Sequence, residues 1–172
     1  MTRILLLDDE PLILSALRRA LYSELALPGL RIDTFSNPYE ALQQVCVCDY
    51  DLAIADYRMP QMSGVTFLQA LKDTAPHTVR MMLSGSTEFE TAMSAINEAH
   101  VFRFITKPWQ AAELQENIRA ALAHRAQLLA EHGIAPAAAV PLTPQELEAQ
   151  RLEAEEPGIL TVRRAPDGSI IL

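Results

Sequence analysis

The sequence predicts an α/β fold: a five-stranded parallel sheet doubly wound by helices, with a small helix and hairpin appended at the C-terminus. Three observations carry the prediction. Short apolar runs alternate with helix-periodic stretches through the first 125 residues. Carboxylates, a hydroxyl and a lysine follow directly after four of the runs. Beyond residue 135 the composition turns to Ala, Pro and Glu.

Residues 3–7 form a short apolar run read as a buried strand. Pro11 opens a helix to about residue 25, with Leu14, Leu17, Ala20, Leu21 and Leu25 at helical spacing, and Pro28-Gly29 breaks it. Residues 30–35 alternate as a second strand. Asn37 caps a helix that has Pro38 at its first position and runs to about Cys48. Residues 51–55 are the third strand. Pro60 and Ser63-Gly64 mark a loop, and a helix follows to about Asp73. Residues 79–83 are the fourth strand, 88–99 the fourth helix and 102–105 the fifth strand. A long helix follows Pro108-Trp109, with Leu114, Ile118, Leu122 and Leu129 on one face.

Strands alternating with helices imply a parallel sheet covered on both faces, and right-handed crossovers restrict it to doubly wound forms. The expected order is 2-1-3-4-5, the flavodoxin-like arrangement. Residues 1–125 form this domain, and residues 126–142 a helix extension and Ala/Pro linker. In residues 143–172, Thr143 to Glu146 reads as a capping box, and Ala165-Pro166-Asp167-Gly168 as a hairpin turn.

Composition narrows the function. A net charge of −8 argues against direct DNA binding. No apolar run reaches the roughly 20 residues of a membrane helix, and the first residues run straight into carboxylates rather than forming a signal peptide. A cytoplasmic protein is expected. Cys46 and Cys48, two apart on the predicted helix, point to different faces and are read as reduced cysteines in or near the core.

In such a sheet, ligands bind beyond the carboxyl ends of the strands. Those ends carry Asp8-Asp9, Asp56, Ser84 and Lys107, on strands that the 2-1-3-4-5 order makes neighbours. Three carboxylates so close repel one another, so either one is protonated or a cation sits among them. An all-oxygen donor set favours a hard cation, and Mg²⁺ commonly bridges carboxylate and phosphate. With Lys107 and the Ser84 hydroxyl opposite, the cluster reads as a phosphoryl-transfer site with Asp56 the nucleophile.

Asp8-Asp9, Asp56 through Gly64, Ser84-Gly85 and Lys107-Pro108, in that order, resemble the receiver domain of two-component response regulators. The resemblance covers about residues 1–125. It implies that Asp9, Asp56 and the backbone carbonyl of Arg58 ligate Mg²⁺, with Asp8 acting on it through water. It also implies that Ser84 and Lys107 hold phosphoryl oxygens, that Phe104 turns inward when Ser84 moves, and that the Lys107–Pro108 bond is cis. Ser84 stands where Thr is commoner and keeps the hydroxyl; Phe104 stands where Tyr is commoner and lacks the phenol.

The implied function is a phosphorylation-activated signalling switch. A sensor histidine kinase or phosphotransfer protein donates the phosphoryl group, and a downstream protein reads the result. The domain is expected to be no enzyme beyond its own phosphoryl transfer and dephosphorylation. A dehalogenase-type phosphatase would place Asp-x-Asp after the first strand, where this chain has Asp8-Asp9-Glu10. A DNA-binding output lacks a recognition helix in the acidic C-terminal segment. A degenerate receiver is opposed by the complete set of five side chains. The tail is expected to dock on its own receiver or on a second subunit, the latter giving a homodimer.

Overall fold

A computed structural model describes residues 1–85 and 99–134. Five strands, β1 (Thr2–Leu7), β2 (Leu30–Phe35), β3 (Leu52–Asp56), β4 (Val79–Gly85) and β5 (Arg103–Lys107), form one parallel sheet in the order β2-β1-β3-β4-β5. The described helices are α1 (Pro11–Leu25), α2 (Pro38–Val45), α3 (Gly64–Thr74) and α4 (Ala111–Glu131). The order and the parallel pairing are those expected from the sequence.

Alternation along the strands divides the core in two. Ile4, Leu6, Leu52, Ile54, Met81, Leu83 and Ile105 face α1 and α4, whose Leu17, Leu21, Leu114 and Ile118 complete that layer. Leu5, Leu7, Ala53, Ala55 and Met82 face α2 and α3. Ala53 and Ala55 are small, and the bulk on that side comes from Phe67, Leu68 and Leu71 of α3. Fully burying one such leucine contributes about 1.5–3 kcal/mol, and both faces of β3 are wholly buried.

The helix starts follow the sequence signals. The Asn37 side chain accepts a hydrogen bond from Tyr39 N at 2.9 Å, and Pro38 takes the first position. Ser63 Oγ accepts from Thr66 N at 3.1 Å and caps α3. One helix boundary differs from expectation. α2 ends at Val45, so Cys46 and Cys48 lie in the turn after it; Cys46 is exposed, and Cys48 is half-buried and accepts from Gln44 Nε2 at 3.0 Å. α4 begins at Ala111 with Gln110 as its cap, after Pro108 and Trp109 as expected. The helix predicted over 88–99 (Ala99 apart), the linker 135–141 and the appended helix and hairpin lie outside the described residues.

The amino ends of the strands are tied by a polar network. Asp33 accepts from Arg3 Nε and from the buried Tyr50 hydroxyl, each at 2.7 Å. Burial, with the Asp33 carboxylate, holds the Tyr50 phenol above its usual pKa. From α4, the Arg125 guanidinium pairs with Asp51 at 2.7 Å and donates to the carbonyls of Tyr50 and His77 at 2.7 and 2.8 Å. The last helix is thereby pinned to the pole of the sheet opposite the carboxylates.

Candidate functional site

The register levels the carboxyl ends of four strands. Leu7 pairs with Ala55, Asp56 with Leu83, Ser84 with Thr106 and Gly85 with Lys107. Asp8 and Asp9 follow directly on β1. Asp8, Asp9 and Asp56 each bring one carboxylate oxygen within 4.8 Å of the others; Asp8 and Asp56 are buried and Asp9 is exposed. This is the convergence expected from the order of the strands.

Lys107 reaches across the cluster. Its Nζ lies 2.6 Å from Asp56 Oδ1 and 2.7 Å from Asp8 Oδ2. The other oxygen of each carboxylate is held by main chain: Arg58 N donates to Asp56 Oδ2 at 3.0 Å, and Glu10 N to Asp8 Oδ1 at 2.9 Å. Burial would lower the Lys107 pKa, but its hydrogen bonds to Asp56 and Asp8 outweigh that and hold it above the ordinary lysine value. Asp56 is held above the ordinary carboxylate range by burial, which Lys107 only partly offsets.

Ser84 is fully buried, and its Oγ has no hydrogen-bond partner among the described residues. Such a group carries an uncompensated desolvation cost of about 1–3 kcal/mol. Leu83 and Ile105 face the α1–α4 layer, whereas Met82 and Phe104 face the α2–α3 layer. Ser84, two residues from Met82, therefore shares a face of the sheet with Phe104. The Lys107–Pro108 bond is cis. Trp109 is half-buried against the α1–α4 layer.

Gly64 entered the sequence reading only as a loop marker and as the end of a motif, with no packing role. A Cβ on Gly64 would collide with the backbone carbonyl of Asp56 and approach Tyr57 Cα to 3.2 Å. Gly64 N donates to Tyr57 O at 3.0 Å, and Tyr57 N donates to Leu83 O at 2.8 Å. The start of α3 thus lies directly against the backbone that carries Asp56. The available signal was a glycine just inside a Ser-capped helix start, where helix propensity gives it no reason to be.

The donor set is oxygen alone, three carboxylates against one ammonium, and it fits a hard divalent cation. The unpartnered Ser84 hydroxyl beside Lys107 fits an oxyanion that would accept from both. A sequence model of the response regulator receiver domain matches residues 4–119. The chain belongs to the response regulator receiver family. Receivers are signalling switches of two-component systems, activated by phosphorylation, and they bind Mg²⁺ at an acidic pocket.

The chain is similar to receiver segments of larger regulatory proteins. The hydrogenase transcriptional regulatory protein HoxA of Bradyrhizobium diazoefficiens is 35% identical over 119 residues, 69% of this chain and 24% of that one. The response regulator protein PilR of Pseudomonas aeruginosa is 32% identical over 122 residues, 70% of this chain and 26% of that one. The chain thus spans about a quarter of the length of these relatives. Among solved structures, the signal receiver domain of an HD domain-containing protein from Pseudomonas fluorescens Pf-5 superposes with a TM-score of 0.67 at 32% identity, covering 73% of this chain and 98% of its own. Among the described residues, no helix is long and apolar enough to cross a membrane.

Proposed function

We propose that this receiver accepts a phosphoryl group on Asp56 from a sensor histidine kinase or phosphotransfer protein and signals through protein contacts. The observation that carries the reading is Lys107, whose ammonium bridges Asp8 and Asp56 at 2.7 and 2.6 Å. An ammonium so placed orients the Asp56 carboxylate, and it is positioned to neutralise charge that arrives there.

Asp8, Asp9, Asp56 and the Arg58 carbonyl are the residues that would hold Mg²⁺, which supplies electrostatic stabilisation of a transferring phosphoryl group. Asp56 attacks phosphorus through a carboxylate oxygen, the bond to the donor breaks, and an acyl phosphate results. Lys107 then faces a phosphoryl oxygen instead of a bare carboxylate. Ser84 donates its unused hydroxyl to another oxygen. Burial of Asp56 keeps bulk water away from the acyl phosphate.

Phosphorylation adds about two negative charges and strong acceptor oxygens. Ser84 moves toward them, and Phe104, on the same face of the sheet, takes the space released. The net charge of −8 opposes direct contact with DNA, so the output is a protein surface. The test is incubation with acetyl phosphate and Mg²⁺ followed by intact mass measurement. One phosphoryl mass is expected, dependent on Mg²⁺ and absent from Asp56→Asn; labelling of that variant at the wild-type level would overturn the assignment.

A further inference from the structure

Far from the carboxylates, a groove of about 710 Å³ opens between the amino ends of β4 and β5, the end of α3 and the last turns of α4. Among the described residues its lining includes Lys72, Arg80, His100 and His124, with Phe102 and Leu128 as the apolar part, and none of these described lining residues is a carboxylate. In a chain of net charge −8 such a concentration of basic side chains stands out. Arg80 is half-buried, and its hydrogen bonds run to the backbone carbonyls of Ala99, Thr78 and Pro76 at 3.0, 2.8 and 3.4 Å. Burial lowers its pKa, the direction for a cation desolvated without an anion to offset the cost. The His124 ring stacks on Phe102 with centroids 4.7 Å apart, giving the groove a flat wall.

We propose that this groove seats the acidic segment 143–156 of the same chain. That segment carries five glutamates, Glu146, Glu148, Glu153, Glu155 and Glu156, against one arginine, Arg151, so its charge complements the lining. It also carries Leu147 and Leu152 for the apolar wall. The chain leaves the described residues at Ile134, six residues after the groove's Leu128, where Ile134 N donates to Leu129 O at 2.9 Å. The eight residues 135–142 span up to about 27 Å when extended, which brings the glutamates within reach. An intrachain partner also avoids the translational cost of association, because the segment is held at a high effective concentration.

The test uses zero-length carbodiimide coupling of the full chain. The chain has two lysines, and Lys107 lies in the carboxylate cluster, so Lys72 is an unambiguous reporter of the groove. Coupling of Lys72 to a glutamate between 146 and 156 is expected. It should occur within one molecule when isotopically labelled and unlabelled chains are mixed, and fall several-fold at ~1 M salt, where the screening length is about 3 Å. The His100 and His124 ring resonances should shift when the five glutamates are changed together to Gln. Coupling only between copies would assign the groove to a second molecule and overturn the proposal. Ring resonances unmoved by the five substitutions, with no coupling from Lys72 to the segment, would overturn it also.

Discussion

The Lys107 ammonium lies 2.6 Å from Asp56 Oδ1, so the proposed nucleophile and its proposed counter-ion are paired before any phosphate arrives. Lys107→Ala removes that pair and leaves Asp8 and Asp56 facing each other with less compensation. The variant should still bind Mg²⁺, and should depend on it more for stability. Breaking a buried pair costs about 3–5 kcal/mol, and a bound cation should restore part of this. Melting curves with and without millimolar Mg²⁺ measure it, and a variant indifferent to the ion would contradict the arrangement. The same variant should switch poorly, read as a reduced change in hydrogen exchange on addition of beryllofluoride.

Asp56→Asn should stabilise the metal-free chain. Burial is the main influence on Asp56 and raises its pKa. A carboxyl with a raised folded-state pKa contributes stability that is full below its unfolded value, near pH 4, and is lost as pH rises through the folded value. At neutral pH the charged group is therefore a net cost, which the amide lacks. Without metal, the difference in melting temperature between variant and wild type should shrink as the pH is lowered through the acidic range. A wild type more stable than the variant at pH 7 without metal would count against this account.

Ser84→Ala should separate stability from function. The buried hydroxyl has no partner among the described residues, so its removal should leave the metal-free chain unchanged or stabilise it by about 1–3 kcal/mol. Acyl phosphate formation on Asp56 should nevertheless fall, because one donor to the phosphoryl oxygens is gone. Loss of both together would mean that Ser84 has a structural partner in the folded chain.

Gly64→Ala should destabilise by about 1–3 kcal/mol, since main chain on both sides of the collision must move. Ser63→Ala, which removes the adjacent cap, should cost about 1 kcal/mol. Only the first should also weaken Mg²⁺ binding, because only the first displaces the backbone of Asp56. Denaturant midpoints and calorimetric titration of the two variants check the contrast.

Most of the fold was legible because each strand is a short apolar run closed by polar residues, and period-2 burial leaves that trace in the sequence. The site was legible for the same reason: topology converts the strand ends into neighbours, so Asp8, Asp56, Ser84 and Lys107 could be brought together without coordinates. The end of α2 was misplaced because Val45-Cys46-Val47-Cys48 continues an apolar pattern that the turn interrupts. The network of Arg3, Asp33, Tyr50, Asp51 and Arg125 was not legible, since its partners lie tens of residues apart and no local pattern marks them. Gly64 needed the packing of α3 on β3, which no single residue announces.

Ser84 and Phe104 share one face of the sheet, and under the proposed switch this sets the route a message takes through the molecule. A displacement begun at Ser84 is felt first among the side chains toward α2 and α3, with the sheet itself as a partition. The helix that leads out of the domain lies behind that partition, anchored by Arg125 at its far end. Among the described residues, the proposed signal can pass to it around the border at β5, the edge strand next to β4. The edge of the sheet is therefore the wire, and its middle the insulation.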